Sequence, residues 1–166
     1  MKNIYLLNGS IQQAQNLCPM PHPNILVCTF ASHTNHSMRE VYESFRQGYK
    51  LARVERFTEQ VEACDILVLC GGDSPTLINT LKGIDGWREV LHNKVIVAYS
   101  AGVSALMQYS YNLDHHRIVE GLGIIPMQSI VHWRPTLWAC HQALMLAHPD
   151  IPIVTVNDGE YYQIQE

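Results

Sequence analysis

Charged residues are scarce in this chain. They make up 16% of its 166 residues, and no run of Lys or Arg stands out against a formal net charge of −4. Proteins that bind nucleic acid or an anionic membrane through electrostatics concentrate positive charge on one face. We therefore expect neither nucleic acid nor a membrane among the partners of this protein.

Long apolar runs are also missing. No stretch approaches the ~20 apolar residues that cross a bilayer. The first residues lead into a short apolar run that ends at Asn8-Gly9, which does not have the form of a signal peptide. The five cysteines are odd in number and lack CxxC spacing, which favours reduced thiols over a disulfide framework. These patterns predict a cytoplasmic protein.

The sequence lacks a recognisable metal-binding motif. None of its nine histidines belongs to an HExxH pattern or a comparable ligand set. We expect a site that uses neither a metal nor an organic cofactor.

What the chain does have is a series of short apolar runs rich in β-branched residues. Three of them, Asn24–Phe30, Asp65–Cys70 and Lys94–Tyr99, indicate strands buried on both faces. Helical patterns separate such runs, which predicts a mostly parallel sheet with helices on its faces. A chain of 166 residues suits one core, so we expect residues 1–166 to form a single α/β domain.

The other predicted elements are short, and the periodicity weakens after residue 108. The predicted helices are Ser37–Leu51, Phe57–Cys64, Ser74–Leu81, Trp87–Leu91 and Val103–Gln108, and the predicted strands are Ile4–Leu7, Arg53–Phe57, Ile124–His132, Ile151–Val156 and Tyr161–Ile164. Ser37 and Glu40 have the spacing of a capping box for the first of these helices.

A candidate nucleophile, Ser100, stands between a predicted strand and a predicted helix. The segment Ala98-Tyr99-Ser100-Ala101-Gly102 matches the G-x-S-x-G nucleophile elbow, with Ala98 in place of the first glycine. So tight a turn needs small residues two positions before and two positions after the serine. Ala98 and Gly102 are both small. The turn puts Ser100 at a helix N-terminus, where amides and the dipole favour a developing negative charge. The alternative is that Ser100 only caps the helix.

A glycine-rich turn, Gly71-Gly72-Asp73, follows another predicted strand. The carboxyl ends of parallel strands share one edge of the sheet, so this turn should lie near the elbow. The backbone N–H groups of Gly72 and Ala101 are then candidates for an oxyanion hole. The alternative is a plain turn in which Asp73 caps the next helix.

Three segments together resemble peptidase family S51, which includes the aspartyl dipeptidase peptidase E and cyanophycinase. They are GGDSPTLINTL at 71–81, VIVAYSAGVSAL at 95–106 and IIPMQSIVHWRP at 124–135. Members of that family resemble class I glutamine amidotransferases in fold but carry serine at the elbow. The resemblance implies a three-layer, flavodoxin-like α/β fold. It also implies a serine hydrolase that cleaves a peptide or amide bond of a small substrate, such as an aspartyl dipeptide.

The resemblance also implies the residues that assist Ser100. Family members carry a histidine after the elbow in an N-P-H-like context, which indicates His132 as general base. An acid in a turn near the C-terminal end orients that histidine, and Asp158 matches this position. Asp114, an acid shortly after the elbow, is the second choice, and Glu160 is the third.

Substrate binding departs from the pattern of the family. Asp73 and Arg134 are candidate substrate-binding residues, and Arg134 could pair with an acidic side chain bidentately. Its context, Trp133-Arg134-Pro135, differs from that of the family, however, so the resemblance supports aspartyl specificity less than it supports a serine hydrolase. A catalytically inactive binding or regulatory domain with the same fold stays open as the alternative. Serine at the elbow argues against a synthetase-coupled amidotransferase. A homodimer stays open as the assembly.

Overall fold

The computed structural model describes residues 3–18, 20–32 and 48–165. Within these ranges, strands form a six-stranded sheet and a four-stranded sheet. The strands are β1 (Ile4–Leu7), β2 (Ile25–Cys28), β3 (Tyr49–Leu51), β4 (Ile66–Leu69), β5 (Val95–Ala98), β6 (Met107–Asn112), β7 (Arg117–Glu120), β8 (Ile125–Val131), β9 (Ile153–Val156) and β10 (Tyr162–Gln165). The helices are α1 (Ile11–Leu17), α2 (Phe57–Glu62), α3 (Ser74–Lys82), α4 (Ala101–Leu106) and α5 (Trp138–Ala147).

The six-stranded sheet is the central layer, with strand order β10-β1-β5-β4-β2-β3. All neighbours are parallel except β10, which runs antiparallel to β1. Strand β4 shows why its sequence is apolar throughout. Leu67 and Leu69 pack on the face that carries α2 and α3, whereas Ile66 and Val68 pack on the face that carries α1. The expected α/β fold with a mostly parallel sheet is confirmed, and the three predicted central strands lie in it as β2, β4 and β5.

The four-stranded sheet follows α4 without a break and has the order β7-β6-β8-β9. Strands β6, β8 and β9 are parallel, and β7 folds back antiparallel to β6. Met107, Ile125, Val131 and Val156 bury their side chains in the same core cluster as one face of the central sheet. This shared core brings the carboxyl ends of β8 and β9 near the end of β5.

The predicted edge strand over Arg53–Phe57 is wrong. Val54–Arg56 is a 3-10 turn that leads into α2, and the edge of the sheet is β3. The Gln60 side chain explains where the strand ends. It donates to the Leu51 carbonyl at 3.0 Å and accepts from the Arg53 N–H at 2.8 Å, which replaces ladder hydrogen bonds at that point.

The predicted helix over Ser37–Leu51 is wrong at its end. Residues 49–51 form β3, which pairs in parallel with Ile25–Val27 of β2. The capping box of Ser37 and Glu40 lies outside the described residues. Trp87–Leu91 was predicted as a helix, and only a 3-10 turn at Glu89–Leu91 is present.

The helix predicted over Val103–Gln108 starts two residues earlier and ends at Leu106, where the chain passes directly into β6. Helices α1 and α5 and strands β6 and β7 had no counterpart among the predicted elements. Among the described helices, none combines the length and the apolar character needed to cross a membrane.

Candidate active site

Ser100 lies on a sharp turn between β5 and α4. Its backbone has φ 45° and ψ −105°, a conformation that non-glycine residues rarely adopt. The turn is closed by a hydrogen bond of 2.7 Å from the Gly102 N–H to the Tyr99 carbonyl. A Cβ on Gly102 would lie 2.4 Å from the Leu69 carbonyl oxygen, so α4 can approach β4 only with glycine here. The backbone therefore has the strained geometry expected of a nucleophile elbow.

His132 follows the last residue of β8 and also has a positive φ, 54°. Its Nε2 lies 2.9 Å from the Ser100 Oγ. The next residue, Trp133, donates its N–H to the Val156 carbonyl at 3.1 Å, which ties the end of β8 to the end of β9. This hydrogen bond holds the backbone from which the His132 imidazole projects.

Asp158 stands in the turn after β9. Its Oδ1 lies 2.6 Å from the His132 Nδ1. The turn is held to the central sheet by Asn8, whose side-chain amide donates to the Asn157 carbonyl at 3.2 Å. A carboxylate at Nδ1 favours the tautomer with the proton on Nδ1, which leaves Nε2 free to accept from Ser100. A continuous hydrogen-bonded chain thus runs from Asp158 through His132 to Ser100.

The two other acids considered for this position are not bonded to the imidazole. Glu160 accepts from the Asn157 side-chain amide at 2.6 Å. Asp114 lines the same cavity as Ser100 and His132. Of the three acids, Asp158 is the one in contact with the ring.

The glycine turn lies beside the elbow, as expected. Gly72 has φ 135°, and a Cβ there would lie 2.3 Å from the Ala31 carbonyl oxygen. That carbonyl accepts the Asp73 N–H at 2.7 Å, which fixes the turn. Among the described residues, neither the Gly72 nor the Ala101 amide donates to a backbone carbonyl. Both residues line the cavity at Ser100, so both amides are available to an oxygen atom bound there.

A cavity of about 140 Å³ opens at Ser100. Its walls come from both sheets and are mostly polar or small. They are formed by Gly72, Ser74, Ser100, Ala101, Ser104, Tyr111, Asn112, Leu113, Asp114, Val131 and His132. The sequence offered no signal for Tyr111 or Asn112, because strand β6, which carries both, was not predicted.

The two candidate substrate-binding residues are not in this wall. Asp73 is the N-cap of α3, as its alternative interpretation proposed: its Oδ2 accepts from the Thr76 N–H at 2.9 Å and from the Thr76 hydroxyl at 2.6 Å. The bond from the Thr76 side chain, with His115 as a further partner, holds the pKa of the Asp73 carboxyl below its usual range. Arg134 is exposed, two residues beyond His132.

The described residues contain no cluster of three His, Cys, Asp or Glu side chains arranged to hold a metal ion.

Among solved structures, a protein from Listeria monocytogenes EGD-e described as a "Putative Peptidase E Protein" superposes with a TM-score of 0.72, over 99% of this chain and 95% of that one. The chain has the peptidase E fold. A peptidase from an acI-B1 Actinobacterium gives a TM-score of 0.70 and covers 99% of this chain and 84% of its own. Sequence identities are 13% and 20%, so the structural similarity shows the peptidase E fold and does not show an activity. No model of a known protein family and no curated protein matches the sequence.

Proposed function

We propose that this protein is a serine hydrolase of the peptidase E type that cleaves a peptide or amide bond. The observation that supports the proposal is the hydrogen-bonded chain in which His132 lies 2.9 Å from the Ser100 Oγ and 2.6 Å from Asp158. Distances of ~2.6–3.2 Å between nucleophile and base are those at which a proton can be transferred. A serine that merely capped a helix would need neither partner.

In the proposed mechanism, Ser100 attacks the carbonyl carbon while the His132 Nε2 accepts its proton. The N–H groups of Gly72 and Ala101 stabilise the negative charge that develops on the carbonyl oxygen. His132 then returns the proton to the leaving amine, and an acyl-enzyme remains. Water, activated by the same imidazole, releases the acid and regenerates Ser100. Asp158 holds the imidazole in position and stabilises its charged form.

The size of the cavity supports a small peptide or amide as substrate, because about 140 Å³ is less than the ~300–1,000 Å³ of pockets that take drug-sized ligands. We further propose that residues 1–166 act as one domain and that the enzyme works in the cytoplasm. The reduced thiols that we expect from the sequence support the cytoplasmic location.

A fluorophosphonate probe tests the proposal, because it reacts with an activated serine and not with an ordinary one. We expect the probe to label Ser100 and the label to be lost in Ser100→Ala. Asp158→Asn should slow labelling by about 10²–10⁴-fold, since the imidazole loses its tautomer and its counter-charge. Asp150→Asn, an equal charge change in an exposed turn, is the matched control.

Absence of labelling in the folded native protein would overturn the hydrolase proposal. The inactive binding or regulatory domain with the same fold would then be the better assignment. Equal labelling of native protein and Asp158→Asn would remove Asp158 from the mechanism.

A further inference from the structure

Helix α5 exposes large apolar side chains instead of burying them. Of its ten residues only Leu144 is buried, whereas Trp138, Met145 and Leu146 are 54%, 49% and 84% exposed. The helix contains no Asp, Glu, Lys or Arg. A helix on the surface of a monomer normally turns charged residues to the solvent and apolar residues to the core. The outer face of α5 is therefore better suited to contact with a second apolar surface than to contact with water.

The exposed residues form one stripe along this helix. We call it the α5 stripe, and it consists of Trp138, Gln142, Met145 and Leu146, whose helical spacing places them on one face. The Trp138 ring is held by stacking on the His141 ring, with centroids 4.9 Å apart and planes at 6°. An aromatic side chain that is already fixed loses little entropy on binding, and Trp is frequent among the residues that dominate interface energies.

The area of the α5 stripe is large for a monomer. With about 200 Å² for a fully exposed side chain of this size, its three apolar residues expose roughly 400 Å². Monomeric proteins rarely expose a contiguous apolar patch of more than a few hundred Å². A standard interface buries ~800 Å² per partner, with an apolar core and a polar rim. The stripe supplies about half of that area, which is enough for the core of a modest interface.

The α5 stripe is complementary to itself around a twofold axis through Gln142. Trp138 lies four residues before Gln142, and Leu146 lies four residues after it. When two copies of the helix pack antiparallel, each Trp138 meets Met145 and Leu146 of the other copy. The two Gln142 amides meet at the axis, where each can donate and accept a hydrogen bond. This is the residue pattern that an isologous contact requires.

The charges that border the stripe fit the same arrangement. Arg134 precedes the 3-10 turn that leads into α5, eight residues before Gln142, and Asp150 follows the helix, eight residues after Gln142. Both are exposed, and within the described part of the chain neither forms an ion pair. Antiparallel packing brings Arg134 of each copy toward Asp150 of the other. Parallel packing would bring like charges together, so the rim selects the antiparallel orientation.

We propose that the α5 stripe is a dimer interface and that its occupant is a second copy of this chain, packed antiparallel about the axis at Gln142. The apolar centre supplies the affinity, and the rim charges set the orientation. This interface goes beyond the proposed function and requires no catalysis. Because the apolar area is modest, we expect a dissociation constant in the micromolar range.

Sedimentation velocity at ~1–200 µM chain tests the interface. We expect the native protein to pass from 18.9 kDa toward twice that mass as its concentration rises. Leu146→Glu puts a charge in the stripe and should raise the dissociation constant at least tenfold. Leu51→Glu, the same change at a 45% exposed residue of β3, is the matched control and should dimerise like the native protein. Thermal unfolding checks that both variants fold, and Trp138→Ala, which adds no charge, is the second stripe variant.

Charge exchange at the rim tests the orientation. Arg134→Asp and Asp150→Arg each place like charges opposite one another, so each should raise the dissociation constant about threefold to tenfold. The double variant restores opposite charges and should dimerise like the native protein. At ~1 µM the protein is monomeric, so the charge at Asp150 does not enter the labelling assay.

A native protein that stays monomeric at ~200 µM would overturn the proposal and leave a different protein as the occupant of the stripe. So would a dimer that Leu146→Glu and Trp138→Ala leave intact, or one that Leu51→Glu dissociates equally. A double charge variant that dimerises no better than the single variants would overturn the antiparallel orientation. Ser100→Ala should dimerise like the native protein, which separates this proposal from the hydrolase.

Discussion

At the scale of single residues, two residues with a strained backbone are also the proposed nucleophile and the proposed base. Ser100 and His132 both have positive φ angles, 45° and 54°, in positions that place the hydroxyl against the imidazole. Such conformations cost on the order of 1–3 kcal/mol for a residue with a side chain. The surrounding strands and turns hold them in place, which is the pattern expected where geometry matters more than stability.

Comparison of two variants of Ser100 measures this strain. Both Ser100→Ala and Ser100→Gly remove the hydroxyl, but only glycine adopts φ 45° without a steric penalty. We expect Ser100→Gly to be more stable than Ser100→Ala by about 1 kcal/mol, after the entropy that glycine loses on folding. Urea unfolding of both variants measures the difference. A Ser100→Gly variant that is the less stable of the two would show that the turn is not strained.

At the scale of secondary-structure elements, the start of α3 is the junction on which the site depends. Asp73 caps this helix, follows the glycine turn and binds His115 from the turn after β6. One carboxylate thus connects the central sheet, the proposed oxyanion hole and the wall that carries Asp114.

The lowered pKa of Asp73 predicts how this junction depends on pH. A carboxyl whose pKa is lower in the folded than in the unfolded state stabilises the fold above its unfolded pKa, about 3.9. That stabilisation is lost as the pH falls through the folded value. Asp73→Asn keeps a good N-cap but no charge. The native protein should therefore exceed Asp73→Asn in stability at pH ~6, and the gap should narrow progressively as the pH falls below the unfolded pKa of about 3.9.

Urea unfolding of both proteins at several pH values measures this gap. If the difference in the free energy of unfolding stays constant from neutral to acidic pH, the Asp73 charge does not stabilise the fold. Asp73 would then act only as a helix N-cap.

The elements also show which local patterns are sufficient for prediction. The runs that became β2, β4 and β5 were recognised because each is buried on both faces and apolar throughout. Tyr49–Leu51 has no such run and became a strand through its pairing with β2. Val54–Arg56 alternates like a strand but lies beyond the point where the Gln60 side chain ends the ladder. The first conformation depends on a strand distant in the chain and the second on hydrogen bonds from one nearby side chain, and periodicity contains neither.

At the scale of the whole molecule, the site is built between two sheets. Ser100 comes from the central sheet, whereas His132 and Asp158 follow β8 and β9 of the four-stranded sheet. The core cluster common to both sheets keeps their strand ends together. The distance between the serine and its base therefore depends on the packing of this cluster.

The three buried thiols report on packing on both faces of the central sheet, because Cys28 and Cys64 lie in one core cluster and Cys70 lies in the other. Burial raises the pKa of Cys28 and Cys70 to about 12 and that of Cys64 to about 11, whereas Cys18 and Cys140 are only half-buried. At pH 8 a thiol with a pKa of about 12 is thiolate in only about one molecule in 10⁴. Iodoacetamide should therefore alkylate Cys18 and Cys140 first.

Mass spectrometry of native and urea-unfolded protein locates the alkylated sites. The three buried thiols should react only after unfolding. Native-state alkylation of Cys28, Cys64 or Cys70 at the rate of Cys18 would show that the core is open.

The sequence by itself determined the α/β class, the buried central strands and the elbow at Ser100, because each depends on residues adjacent in the chain. Apolar runs, small residues at Ala98 and Gly102, and a helix start are all local patterns. Only the tertiary structure decided that Asp158 and not Asp114 contacts His132, since this depends on where β8 and β9 end relative to β5. It also decided that Asp114 borders the cavity, because hydrogen bonds between distant residues hold its turn against α3.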